Sequence, residues 1–124
     1  MEFSATPHED LQRLGAVEID ALDFGVIGFD AQGVVQRYNR FESEAAGLSL
    51  DRVVGHHLFN VVAPCMNNYL VAQRFDDAAE QRQVLDVVID YVLTLRMRPT
   101  RVRLRLLYRP GTDMRYVLVE RAPR

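Results

Sequence analysis

Three side chains in this 124-residue chain carry groups from which a buried chemical site could be built: the phenol of Tyr38, the carboxyl of Glu42 and the thiol of Cys65. Tyr38 and Glu42 stand four residues apart, close to the start of one predicted helical turn. Cys65 is the only cysteine, so it has no intramolecular disulfide partner, and it ends the run Val61-Val62-Ala63-Pro64-Cys65, in which Pro64 limits how the thiol can swing. A thiol, a phenol and an acid within reach of one pocket suggest a covalently held, acid-shaped ligand. Each residue alone has a plainer reading. A free cysteine fills space, a lone glutamate on a short helix is solvated, and a half-buried tyrosine ties its hydroxyl to backbone.

The elements that must position these groups are legible as periodicity. Thr6-Pro7 predicts a short helix with proline at its first position and Glu9 and Asp10 at its positive end; Leu11, Leu14 and Val17 are expected on one side of it. Residues 25–30 and 34–39 read as a hairpin around Asp30-Ala31-Gln32-Gly33. Residues 39–46 predict a helix capped by Asn39, carrying Glu42 and ended by Gly47, and residues 49–55 another helical turn stopped by Gly55. Residues 57–62 lead into the Ala-Pro-Cys loop. A longer amphipathic helix is expected over 69–82, with Val71, Phe75 and Ala78 or Ala79 toward the core.

The period then changes. Leu85, Val87, Ile89, Tyr91, Leu93, Leu95 and Met97 alternate as a long strand with one fully buried face, and Val102, Leu104, Leu106 and Tyr108, then Met114, Tyr116 and Leu118, repeat the rule. Arg101, Arg103 and Arg105 are expected on a solvated face, partly balanced by Asp86 and Asp90. Val88 and Val92 among those charges would make a contact surface. The sum is an α+β domain with one five-stranded antiparallel sheet flanked by short helices and one longer connecting helix. Such a layer leaves a concave apolar space between sheet and helices, where ligands normally sit.

Composition narrows the function classes. With 48% hydrophobic residues the chain is long enough for one core. A formal charge of -2 disfavours nucleic acid and anionic membrane surfaces as partners. No charged-then-apolar leader and no bilayer-length apolar run are visible, so the expected location is cytoplasmic.

The segment Tyr38-Asn39-Arg40-Phe41-Glu42, the Val-Ala-Pro-Cys run, Gly47, Gly55 and Met97-Arg98-Pro99-Thr100 together resemble the photoactive yellow protein family, a branch of the PAS sensor fold, over roughly residues 22–107. The resemblance implies an N-terminal cap over residues 1–20, a PAS sensor domain over 21–124, and a blue-light photoreceptor that is not an enzyme. It implies covalent 4-hydroxycinnamic acid (p-coumaric acid) as a thioester on Cys65, with Tyr38 and a protonated Glu42 donating hydrogen bonds to its phenolate. Ala46, Leu48, Val62, Pro64, Leu95 and Met97 would line the same pocket. Photoisomerisation and proton transfer from Glu42 would leave a buried carboxylate with no cation beside it, relieved by release of the N-terminal helix toward a downstream signalling protein. Family members carry an arginine where Leu48 stands, a threonine where Ala46 stands and a tyrosine where Leu95 stands, so the lid would be apolar and Tyr38 less firmly placed.

Other readings use other residues. A light-independent PAS module would bind another small ligand or haem, with His56 or His57 as axial candidates, or mediate dimerisation, and a homodimer is compatible with either reading. One cysteine and two adjacent histidines do not make a structural zinc site. Cys65 with a histidine lacks the third orienting group of a thiol enzyme, and Asp23-Phe24-Gly25 stands without the rest of the kinase signature.

Overall fold

A computed structural model of the chain describes residues 1–94 and 98–121. The predicted hairpin is β1 (Gly25–Phe29) and β2 (Val35–Tyr38). Its turn closes as Asp30 Oδ1 accepts from the N–H groups of Gln32 and Val34, with Gly33 at φ 85°. β3 (Leu85–Leu93), β4 (Thr100–Tyr108) and β5 (Arg115–Arg121) follow, and the sheet runs in the order β2-β1-β5-β4-β3 with every pairing antiparallel. The first and last strands in sequence thus meet at the centre of the sheet, as β1 pairs with β5. That crossover brings residues near 25 and 121 together.

On the inner face lie α3 (Arg40–Ala46), α4 (Leu50–Val53), a π-helical turn (Leu58–Val62), a 3₁₀ turn (Pro64–Met66) and α5 (Ala72–Gln81). They bury Val53, Leu58, Phe59, Met66 and Phe75 against Ile27, Phe29, Val102, Leu104, Leu106, Val117 and Val119 of the sheet. Phe29 makes edge contacts with both Phe59 and Phe75. α5 starts three residues later than the periodicity predicts, because Asn68 Oδ1 accepts from Leu70 and Val71 N–H and holds that approach as a turn. The π-helical turn was expected only as a lead-in.

Several expectations for the outer face are corrected. The N-terminal segment covers it with α1 (His8–Arg13) and α2 (Ala16–Asp20), and Pro7 is the N-cap of α1 instead of its first helical residue. Leu11 is fully buried and Leu14 partly so, but Val17 is 84% exposed, since the chain breaks at Gly15 and α2 starts on a new axis. Beneath the segment, Phe3, Leu11, Phe24, Val26, Leu107, Tyr116 and Leu118 form a second core. β5 is therefore apolar on both faces, with Tyr116 and Leu118 on the outer one, where β4 contributes Leu107. β3, an edge strand, has an alternating face that is half-buried along most of its length, not fully buried as expected.

Arg105 departs furthest from the solvated stripe expected of it. It is 3% exposed, its Nη1 donates to the carbonyls of Phe3 at 3.0 Å and Thr6 at 2.8 Å, and its Nε and Nη2 pair with Asp86 at 2.9 and 3.0 Å. Arg101 and Arg103 are exposed as expected, with Arg103 paired to Glu120 and stacked over the Phe3 ring. Arg37 holds the other end, donating to the carbonyls of Leu11 and Leu14 and to Tyr116 Oη, while His8 Nε2 bonds Met114 O. The segment is thus clamped by the buried Arg105 and half-buried Arg37 guanidinium groups, whose carbonyl partners lie along residues 3–14. Arg105→Met keeps the volume and removes four hydrogen bonds. It should loosen residues 1–14 by about 2 kcal/mol, with Asp86 discounted for its exposure, while leaving the inner core intact. Limited proteolysis reads this as new cleavage confined to the first helices; unchanged cleavage would show that Arg105 does not hold the segment.

Candidate functional site

The helix that carries Glu42 starts where β2 ends, and a single buried side chain makes the join. Asn39 is fully buried; its Oδ1 accepts from Val26 N–H at 2.9 Å and Glu42 N–H at 3.2 Å, and its Nδ2 donates to the carbonyls of Ile19 and Phe24, both at 2.9 Å. It caps α3 as expected and also ties that helix to β1 and α2. Gly47, at φ 70°, ends α3. Tyr38, on β2 just before the cap, is buried in the inner core, and its Oη has no hydrogen-bond partner among the described residues. Burial pushes its phenol above the ordinary range, the nearby Glu42 charge adds to this, and Arg121 opposes it.

Cys65 sits in the 3₁₀ turn, partly exposed, and packs with Leu48 and Val62 against the same inner core that holds Tyr38. Its carbonyl is fastened twice, by Tyr91 Oη at 2.5 Å and Asn68 Nδ2 at 3.2 Å, and Asn68 also donates to Tyr91 Oη at 2.6 Å. The loop bearing the thiol is therefore anchored to β3 through backbone, which leaves the sulfur free of that role. Neither Tyr91 nor Asn68 was singled out for this; a tyrosine among aliphatic residues of an edge strand was the available signal. Ala46 is partly buried and Pro64 exposed. Leu95 and Met97 lie outside the described residues.

Glu42 corrects the sequence-based expectation. It is 1% exposed, as a pocket acid must be, but it is not without a cation: Arg121 Nη1 donates to Oε1 at 2.6 Å and Nη2 to Oε2 at 3.1 Å. The reason is the central β1–β5 pairing, which sets the end of β5 beside the start of β1. Gly25 makes the space, since a methyl group built there would overlap the Glu42 carboxyl and stand 2.9 Å from its Cδ. Burial raises the Glu42 carboxyl above the usual carboxylate range, and the two Arg121 bonds pull it back. Arg121 left no local mark in the sequence beyond a basic residue at the end of the last strand.

The histidine pair does other work. His57 caps the π-helical turn, with its Nδ1 accepting from Asn60 N–H at 3.1 Å, and His56 is exposed. Among the described residues no cluster of three or more His, Cys, Asp or Glu suits a metal ion, and no helix is long and apolar enough to cross a membrane.

Comparison with known proteins gives this geometry a context. The family model described as PAS fold matches residues 19–121. The photoactive yellow protein of Rhodothalassium salexigens is 31% identical over 98% of this chain and 99% of its own length, and that of Halochromatium salexigens is 29% identical over 90% and 88%. Among solved structures, the photoactive yellow protein domain of the sensor histidine kinase Ppr from Rhodospirillum centenum superposes with a TM-score of 0.82 at 35% identity, covering 91% of this chain and 98% of that domain.

Proposed function

Because this chain belongs to the photoactive yellow protein family of the PAS fold, we propose that it is a blue-light photoreceptor, not an enzyme, holding 4-hydroxycinnamic acid as a thioester on Cys65. The observation that carries the reading is the unpaired Tyr38 hydroxyl. A buried O–H without a partner costs about 1–3 kcal/mol, and a ligand oxygen beside it removes that cost. The donor set fits: a thiol for attachment, a phenol for a hydrogen bond and a buried carboxyl on the adjoining turn.

When bound, the 4-hydroxycinnamoyl group supplies absorption of visible light, a double bond that isomerises and a phenolate oxygen able to take up a proton. The remaining roles fall to the chain. Tyr38 Oη donates to the ligand's oxygen, and Glu42, turned from Arg121 toward Tyr38, holds a proton on its carboxyl because burial disfavours the charge. Glu42 would be the group from which that phenolate oxygen takes its proton on illumination, the carboxyl O–H breaking as the new O–H forms. Leu48 and Val62 exclude water, and the Tyr91 and Asn68 bonds to the Cys65 carbonyl keep the attachment point still. Residues 1–20 act as a separable cap whose release from Arg105 and Arg37 passes the signal to a downstream protein.

The test is to load the purified protein with an activated ester of 4-hydroxycinnamic acid and record visible and infrared difference spectra under blue light. Wild type should show a bleachable visible band together with loss of a protonated carboxyl stretch. Glu42→Gln should load equally yet lose that carboxyl signal. No adduct, or an adduct without a bleachable band, would move the protein to the light-independent PAS sensors. An unchanged carboxyl loss in Glu42→Gln would remove Glu42 from its role.

A further inference from the structure

We propose that Arg121 is the second station of the Glu42 side chain: the guanidinium that receives the carboxylate once Glu42 has given up its proton, and hence a positioning residue that sets how long the deprotonated state lasts. The inference rests on the photoreceptor reading for its consequence but on apo geometry for its substance. Both Arg121 amino groups reach separate Glu42 oxygens, at 2.6 and 3.1 Å, in the forked arrangement that favours an ionised carboxylate. The acid is 1% exposed, whereas the arginine side chain keeps 18%, so the cation retains contact with water while its partner does not. Gly25 is the floor on which the carboxyl lies, and any side chain there would fill the station.

The other station is Tyr38. Among the described residues its hydroxyl has no partner while Glu42 lies against Arg121, and it is close enough to feel the Glu42 charge. Two positions for one acid are thus laid out about the same short helix: one beside a phenol whose hydroxyl is free to bond it, the other hydrogen-bonded to the Arg121 cation. A proton favours the first and its loss the second. Relief of the buried negative charge then takes a side-chain rotation within an existing fold, and unfolding of the cap is not what neutralises it. The groups bearing on this equilibrium are Tyr38 and Arg121 on the Glu42 side. Around Arg121 they are Asp23 and Glu120, with Glu2 across the same cleft. Glu2 and Phe3 belong to the N-terminal segment, so the cation station opens on the cap.

Removing Arg121 leaves burial unopposed, and the Glu42 carboxyl should hold its proton to higher pH. The decisive measurement uses apo protein with ¹³C-labelled glutamate, following the Glu42 carboxyl resonance against pH in wild type, Arg121→Gln and Arg121→Lys. Arg109→Gln, which breaks an exposed pair with Glu9 away from this cleft, is the control. The proposal requires the midpoint to rise in Arg121→Gln, to rise less in Arg121→Lys and to stay put in Arg109→Gln. Equal midpoints in wild type and Arg121→Gln overturn it. Should Arg121→Gln not fold, Arg121→Lys, which keeps the charge but replaces the two-nitrogen fork with a single nitrogen, must still move the midpoint or the proposal fails. In loaded protein Arg121→Gln should recover from a blue flash about tenfold faster or more, as expected on losing a hydrogen bond to a charged group. Unchanged recovery also overturns it. Failure to load at all would sink the photoreceptor reading while the apo titration still decides the ion pair.

Discussion

Cys65→Ala protein treated with the activated ester of 4-hydroxycinnamic acid gains no mass and develops no visible band, while wild type gains one adduct and turns yellow. The effect is all or none, because Cys65 is the only thiol in the chain and no second cysteine can substitute. Its neighbourhood supports a fixed attachment point. Pro64 restricts the backbone before it, and Tyr91 and Asn68 hold its carbonyl at 2.5 and 3.2 Å. Intact mass spectrometry with an absorption spectrum checks the result on one sample. An equal mass gain in Cys65→Ala would place the modification on another nucleophile and end the thioester assignment. Tyr91→Phe is the informative companion: loading should persist, since the thiol is untouched, but the loop loses one of its two tethers.

Asn39→Ala should cost about 3 kcal/mol or more of folding free energy, the largest stability loss expected from one small truncation outside the apolar cores. Four buried backbone groups lose their partner at once: the N–H groups of Val26 and Glu42 and the carbonyls of Ile19 and Phe24. A lost N-cap alone costs about 1 kcal/mol, and each stranded buried group adds about 1–3 kcal/mol before relaxation and water entry reduce the sum. Against a total of about 5–15 kcal/mol for a domain, this is a large fraction. Urea denaturation with an unchanged slope and a lowered midpoint checks it. A loss below about 1 kcal/mol would mean that water replaces the amide and that the network is not what joins α3 to β1. Asn39→Asp separates the halves, since it keeps both acceptor bonds and removes both donor bonds while adding a buried charge.

The two results bear on function through one element. Asn39 sets the start of α3, and the start of α3 sets where Glu42 and Tyr38 lie relative to each other. A loosened cap in Asn39→Ala would therefore disturb the Glu42 stations as well as the fold. Reading its stability beside its Glu42 titration tells the two apart, because Arg121→Gln moves the titration without touching the cap.

What the sequence determined by itself was whatever rests on local rules. Alternation marked the strands, helical spacing and Asn39 marked α3, Gly33 marked the hairpin turn, and Pro64 placed the thiol on a restrained loop. Each of these signals acts within a few residues along the chain, where backbone geometry makes the period visible. The tertiary structure decided which face each strand buries and what each buried charge meets. Tyr116 and Leu118 read as one more alternating face, and only the docked N-terminal segment shows that they pack outward while Val117 and Val119 pack inward. Arg105 looked solvated because arginines on alternate strand positions usually are, and it is buried because the carbonyls of Phe3 and Thr6 come to it across the sheet. Glu42 was legible as a pocket acid but not as an ion pair, since its cation is 79 residues away and joins it through the β1–β5 pairing. Long-range pairing of charges leaves no period in a sequence. It is settled by sheet order, which brings the two ends of the chain together and so decides the charge that the buried acid can carry.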